Sequence, residues 1–128
     1  MEKVYMCGPF GKKAELKKWG EYLEQACGVE IVSRWLNGSH GSDQSVSPFY
    51  LCQVAYDDIE DIERCDIVVA MIGQGGVSGG RHWECGYAQA LGKLIILVGQ
   101  HENIFHHTCS QCATIELAAD MINHPLAF

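Results

Sequence analysis

Glu84 stands alone in its stretch of chain. It follows Gly75-Gly76-Val77-Ser78-Gly79-Gly80-Arg81, and the residues after it, Cys85, Gly86, Tyr87 and Ala88, are apolar or small. The pattern predicts a helix from about Arg81 to Leu91 and puts Glu84 in its first turn, where the positive end of the helix dipole favours an acid by about 0.3–1 kcal/mol. The same field can keep a carboxylate ionised at the rim of a pocket. Partial burial alone would neutralise it, and only the ionised form attacks an electrophilic carbon. A plain helix-end charge and a nucleophile both fit these residues. A second acid, for proton transfer, is available in the crowd Asp57, Asp58, Glu60, Asp61 and Glu63, but composition does not separate Asp58 from a solvated face. Tyr5, in the first apolar run, lies near the same edge and reads equally well as a packed core aromatic.

The glycine-rich loop before Glu84 presents backbone N–H groups and a helix start to an anion. It lacks the Gly-Lys-Ser/Thr ending of a P-loop and the Gly-x-Gly-x-x-Gly fingerprint. Ser78 and Arg81 can both donate to phosphate oxygens, and Lys12 and Lys13 add positive charge nearby. The segment His106-His107-Thr108-Cys109-Ser110-Gln111-Cys112 carries a Cys-x-x-Cys beside two histidines. Four zinc ligands in seven residues are cramped, since metal sites usually draw on two separated segments, and a reactive dithiol is the other alternative; an ordinary loop is expected there ahead of either.

These side chains need a scaffold, and the apolar pattern supplies one. Val4 to Cys7 reads as a strand stopped by Gly8-Pro9. Lys12 to Cys27 has helical apolar spacing and ends at Gly28. Glu30 to Trp35 reads as a second strand, and Leu36 to Ser47 as a long exposed loop. Pro48 to Arg64 is a helix, and Asp66 to Ile72 is a β-branched strand buried on both faces. After the helix that carries Glu84 come the strand Leu94 to Val98, a loop, and a helix Ile115 to Ile122 that Thr114 can cap.

Alternating buried strands and helices predict an α/β fold: a doubly wound, Rossmann- or flavodoxin-like parallel sheet of four to five strands with helices on both faces. Ligands in such sheets bind beyond the carboxyl ends of the strands. That rule selects Gly8-Pro9-Phe10-Gly11, Arg34-Trp35, Gly73 to Glu84 and Gly99 to His107.

The 128 residues, with no repeat or linker, predict a single domain over residues 1–128. The net charge of −7 leaves no basic face for a nucleic-acid polymer, whereas a small anionic ligand needs only a few local donors. The longest uncharged run, Ile67 to Gly80, is glycine-rich and too short to span a bilayer. Neither a signal peptide nor a membrane contact is expected. Seven dispersed cysteines cannot all pair and suit reduced thiols, so the expected location is the cytoplasm.

Three motifs in order, Val4-Tyr5-Met6-Cys7-Gly8-Pro9-Phe10, Ala55-x-x-Asp58 with Asp66 eight residues on, and Ser78-Gly-Gly-Arg-His-Trp-Glu84-Cys-Gly-Tyr-Ala88 with Gly92-Lys93, resemble the nucleoside 2-deoxyribosyltransferase superfamily. That superfamily includes deoxynucleoside 5′-monophosphate N-hydrolases, and the resemblance runs from residue 3 to about residue 107. It implies that Glu84 attacks the anomeric carbon of a nucleoside sugar, that Asp58 contacts substrate and helps protonate the leaving base, and that Tyr5 positions the nucleophile. Asp66 is then structural. Gly8, Pro9 and Phe10 line the base or phosphate pocket, and Arg34, Trp35, Gly79, Gly80 and Arg81 are further candidate binding residues.

Where transferases of free nucleosides carry an aspartate six residues before the nucleophile, this chain has Ser78, as the monophosphate N-hydrolases do. A carboxylate repels phosphate and a hydroxyl donates to it, so the substitution favours a nucleotide over a nucleoside. The implied chemistry needs no metal or organic cofactor: a carboxylate traps the sugar as in retaining glycosidases, and water or a second base completes the reaction. The resemblance also implies a homodimer or higher homo-oligomer whose sites are completed across subunits, with Asn103, Phe105 or His106 as the contributed residue. The competing reading is a non-catalytic nucleotide-binding or sequestering protein on the same fold.

Overall fold

The computed structural model describes residues 1–38, 47–75 and 79–125. Five strands, β1 (Lys3–Cys7), β2 (Glu30–Ile31), β3 (Ile67–Met71), β4 (Leu94–Val98) and β5 (Ser110–Cys112), form one sheet in the order β2-β1-β3-β4-β5. Every pairing is parallel. Four α-helices connect or follow them: α1 (Lys13–Cys27), α2 (Pro48–Arg64), α3 (Gly80–Ala90) and α4 (Ile115–Asn123). α1 packs beside α4 and α2 beside α3. All of β3 is buried, as are the last four residues of β1 and of β4, which is why these segments read as unbroken apolar runs. Among the described residues, no helix is long and apolar enough to cross a membrane.

The strand order reverses between β1 and β3, and at such a switch point the connections diverge to leave a crevice. Tight packing at the neighbouring strand ends fixes that edge. A Cβ on Gly99, at φ +127°, would lie 2.2 Å from the Ile72 carbonyl oxygen, so only glycine lets the two chains pass. The helix starts follow from their caps: Ser47 accepts from the Tyr50 N–H ahead of Pro48, and Thr114 accepts from the Leu117 N–H. Gly28, at φ +69°, closes α1.

Three local expectations change. The second strand ends at Ile31 rather than Trp35, and residues Arg34–Asn37 form a 3-10 turn. There the Arg34 N–H leaves the sheet and donates to the Asp61 carboxylate at 3.0 Å, so a side chain on α2 outcompetes the edge of the sheet. Leu36, expected at the start of an exposed loop, is buried, while residues 39–46 of that loop lie outside the described residues. Part of the expected loop after β4 is instead the short edge strand β5, whose Ser-Gln-Cys sequence has no apolar alternation to announce it. The seven cysteines are free thiols.

Candidate active site

Two acids and a tyrosine converge at the switch point. Tyr5, on β1, has no solvent exposure, and its hydroxyl donates to Glu84 Oε2 across the step from β1 to α3. The end of β1 is held from the other side: Ser33 Oγ accepts from the Met6 N–H at 2.9 Å, and the Trp35 indole N–H donates to the Met6 carbonyl at 2.9 Å. A cleft of about 160 Å³ opens here, lined by Gly8, Phe10 and Trp35 from the ends of β1 and β2, Asp58 from α2, and Gly80, Arg81 and Glu84 from α3. A second cavity of about 250 Å³ shares Asp58, Gly80 and Glu84 and continues past Ala55, Ile59 and Trp83. The acids therefore sit where two cavities meet. Phe10 and Trp35 lie with ring centroids 6.1 Å apart and planes at 36°, offering flat apolar surface to a planar group.

The electrostatics of Glu84 reverse the expectation from the sequence. α3 begins at Gly80, so Glu84 falls in its second turn, beyond the reach of the dipole. Burial pushes its carboxyl up to about 7; the Tyr5 hydrogen bond opposes that rise and the charge of Asp58 adds to it. Asp58 is itself pushed up to about 6, by burial first and then by Asp61 and Asp57, against a lowering by Arg34. Tyr5, enclosed and beside two acids, is driven upward and stays protonated. The two carboxyls thus titrate as a pair that holds one proton near neutral pH, a pattern that marks acid and base pairs at reactive sites.

The other candidates divide. Gly8, Phe10, Trp35, Gly80 and Arg81 line the cleft; Gly79 caps α3 beside it, and Pro9 accepts the Lys12 N–H in the following turn. Ser78 lies outside the described residues. Arg81 is not available as the phosphate donor expected of it: its guanidinium is buried and pairs with Glu102 at 2.9 Å and 3.2 Å, with a further bond to the Gly75 carbonyl. Arg34 is turned away as well, toward Asp57, Glu60 and Asp61 on α2, and is not among the residues that line the cleft. Asn103 stands off from the acids, capping the 3-10 turn Ile104–Thr108 through Oδ1. It lines a separate cavity of about 290 Å³ with His82, Cys85 and His106.

That third cavity holds the nearest approach to a metal centre among the described residues. His82, Glu102 and His106 offer ligand atoms within 4.8 Å of one another. Both Glu102 oxygens take Arg81 N–H groups, and His106 Nδ1 accepts the Glu102 N–H at 2.9 Å, so the cluster is satisfied internally. Sequence reasoning missed Glu102 and the fully buried Asp61. The strand-end rule had selected the segment of Glu102, but only the partner arginines reveal the role of either acid.

A family model described as nucleoside 2-deoxyribosyltransferase matches residues 4–122, carrying the likeness well past residue 107 into α4. The fold is that of a 2-deoxyribosyltransferase from Bacillus psychrosaccharolyticus, with a TM-score of 0.74 at 23% identity over 92% of this chain and 90% of that one. A conserved protein from Enterococcus faecalis V583 superposes with a TM-score of 0.72 at 15% identity, covering 98% and 99% of the two chains. A CMP N-glycosidase from Clostridium botulinum gives 0.57 at 23% identity over 95% and 99%. No curated protein matches the chain.

Proposed function

Because the chain belongs to the nucleoside 2-deoxyribosyltransferase family, we propose that it cleaves the N-glycosidic bond of a small deoxynucleoside or nucleoside 5′-monophosphate with Glu84 as nucleophile. The coarse activity, nucleoside deoxyribosyl transfer or N-glycosidic cleavage, is that of the family. The residue roles are our reading. The observation that carries it is the pair Asp58 and Glu84, two carboxyls on one cleft, both held near neutrality by burial.

Burial holds the shared proton more tightly on Glu84, at about 7, than on Asp58, at about 6, so the reactive form is the one in which the proton has moved to Asp58. Ionised Glu84 then attacks C1′ through an oxocarbenium-like state as the bond from C1′ to the base nitrogen breaks. The proton on Asp58 passes to the departing base. Tyr5 ties up Glu84 Oε2 and leaves Oε1 to form the new C1′–O bond. Water, or the N–H of a second base, then attacks C1′ as the C1′–O bond to Glu84 breaks, and its proton passes to the now ionised Asp58. Phe10 and Trp35 give the base an apolar surface, and the chain's own side chains account for every proton moved.

Incubation with a panel of nucleosides and their 5′-monophosphates, read by chromatography for free base, tests this directly. Base should appear with wild-type protein and vanish with Glu84→Gln; undiminished release from that variant overturns the nucleophile. The phosphate preference rests on Ser78: Ser78→Asp should weaken use of monophosphates more than of nucleosides, and equal losses contradict it. A homo-oligomer is part of the same reading, because Asn103 stands off from its own chain's acids beside the exposed Ile104 and Phe105. A monomer by light scattering overturns that part.

A further inference from the structure

Arg34 makes more bonds than a surface ion pair requires. It lies one residue before Trp35, at the start of the turn after β2. Its backbone N–H donates to Asp61 Oδ2 at 3.0 Å and its Nε to Asp61 Oδ1 at 2.9 Å. One terminal nitrogen reaches Glu60 Oε1 at 2.9 Å and the Asp57 carbonyl at 3.2 Å. Asp61 has no exposure and also takes Arg64 at 3.1 Å.

These bonds straddle the cleft wall. Asp57, Glu60 and Asp61 flank Asp58 within about one turn of α2, while Trp35 is held by its indole to Met6 of β1. The chain of contacts runs from β1 through Trp35 and Arg34 to the turn that carries Asp58. An exposed pair contributes little to stability, but a planar guanidinium with Nε on the buried Asp61 carboxylate and a terminal N–H on Glu60 spans two points of α2 and sets geometry.

We propose that Arg34 is a positioning residue for glycosyl transfer: it clamps the Trp35 segment against the turn of α2 that carries Asp58, fixing their gap and the charge that Asp58 meets. The proposal rests on the reading of Asp58 as proton donor. Among the described residues, the charged or titratable groups facing Asp58 are Asp57 and Asp61 on its own helix, Glu84 on α3, the Tyr5 hydroxyl on β1, and Arg34 from the turn after β2, with Arg81 on the same cleft but paired to Glu102. Arg34 is the cation whose charge favours ionised Asp58, and it works against the two neighbouring aspartates.

Arg34→Met and Arg34→Lys, assayed for base release against pH with both nucleosides and monophosphates, test the clamp. Losing the cation lets the acid pair hold its proton to higher pH, so Arg34→Met should move the pH optimum up by about half a unit and raise KM about fivefold for both substrate types. Lysine restores the charge without the fork, so Arg34→Lys should return the optimum to the wild-type value while KM stays high. It also provides a folded variant if methionine leaves Asp61 too poorly paired. A lower Tm with KM and pH optimum unmoved overturns the proposal, as does a KM rise confined to monophosphates, which would mean direct phosphate contact. Wild-type protein that releases no base overturns the catalytic reading instead. The clamp is then judged by nucleoside affinity in calorimetry, where a weaker Kd in Arg34→Met supports it and an unchanged one overturns it.

Discussion

Glu84 and Glu102 are the same residue type, and both meet Arg81's neighbourhood at the start of α3, yet the fold treats them in opposite ways. Glu102 receives the Arg81 guanidinium through both oxygens, and its carboxyl is held below the usual range. Glu84 receives a neutral phenol and a second acid nearby, and its carboxyl rises to about 7. A half-buried acid matched by a cation is locked into one charge state and serves structure. A buried acid without one is left near the point where it can gain or lose a proton, which is the state chemistry uses.

Exchanging charge for amide at the two positions should break the comparison most sharply. Glu84→Gln should lower base release by more than about a thousandfold with the fold intact, while Glu102→Gln should keep turnover within about threefold. Comparable losses in steady-state kinetics would mean that the two acids share one role. Asp58→Asn should cost about a hundredfold in kcat, as expected when a general acid is lost, with the smallest loss on substrates whose base leaves easily. A uniform loss would recast Asp58 as a substrate ligand.

Tyr5→Phe removes the hydrogen bond that holds the Glu84 carboxyl down. Activity should fall about tenfold, and the acidic limb of the pH–rate profile should move to higher pH; an unmoved limb would mean that the phenol only fills space.

The smallest effects are on stability, and their signs differ. Glu84 binds its proton more tightly folded, at about 7, than at its ordinary 4.5. Its contribution is therefore present at low pH and is lost as pH climbs through 7. Glu84→Gln should raise Tm at pH 8 and leave it nearly unchanged at pH 4. Glu102 is the reverse case, stabilising above its ordinary value, and Glu102→Gln should cost about 3 kcal/mol at pH 8 by stranding the buried Arg81. Thermal melts of both variants at the two pH values separate the signs, and melts that shift in the same direction would contradict the contrast.

Much of this was legible along the chain. Buried strands announce themselves by β-branched runs, so β3 and β4 emerge within a residue or so of their bounds. Thr114 and Gly28 mark helix ends because capping is local. β5 and the truncated β2 were not legible, since edge strands take their pairing from neighbours and, at Arg34, lose it to a carboxylate 27 residues away.

The same division runs through the site. The sequence alone determined the residue types and their order: an isolated glutamate after a glycine loop, an aspartate eight residues before a strand, a tyrosine on the first strand. Those choices are local and carry the family pattern. Tertiary structure alone decided the charge each of them meets. It spent Arg81 on Glu102 and Arg34 on Asp61, put Glu84 a turn too deep for the helix dipole, and left Asp58 and Glu84 together on the cleft with no cation bonded to either among the described residues. The physical reason is that a charge state depends on burial and on partners across space, and neither is written in the spacing of residues along the chain.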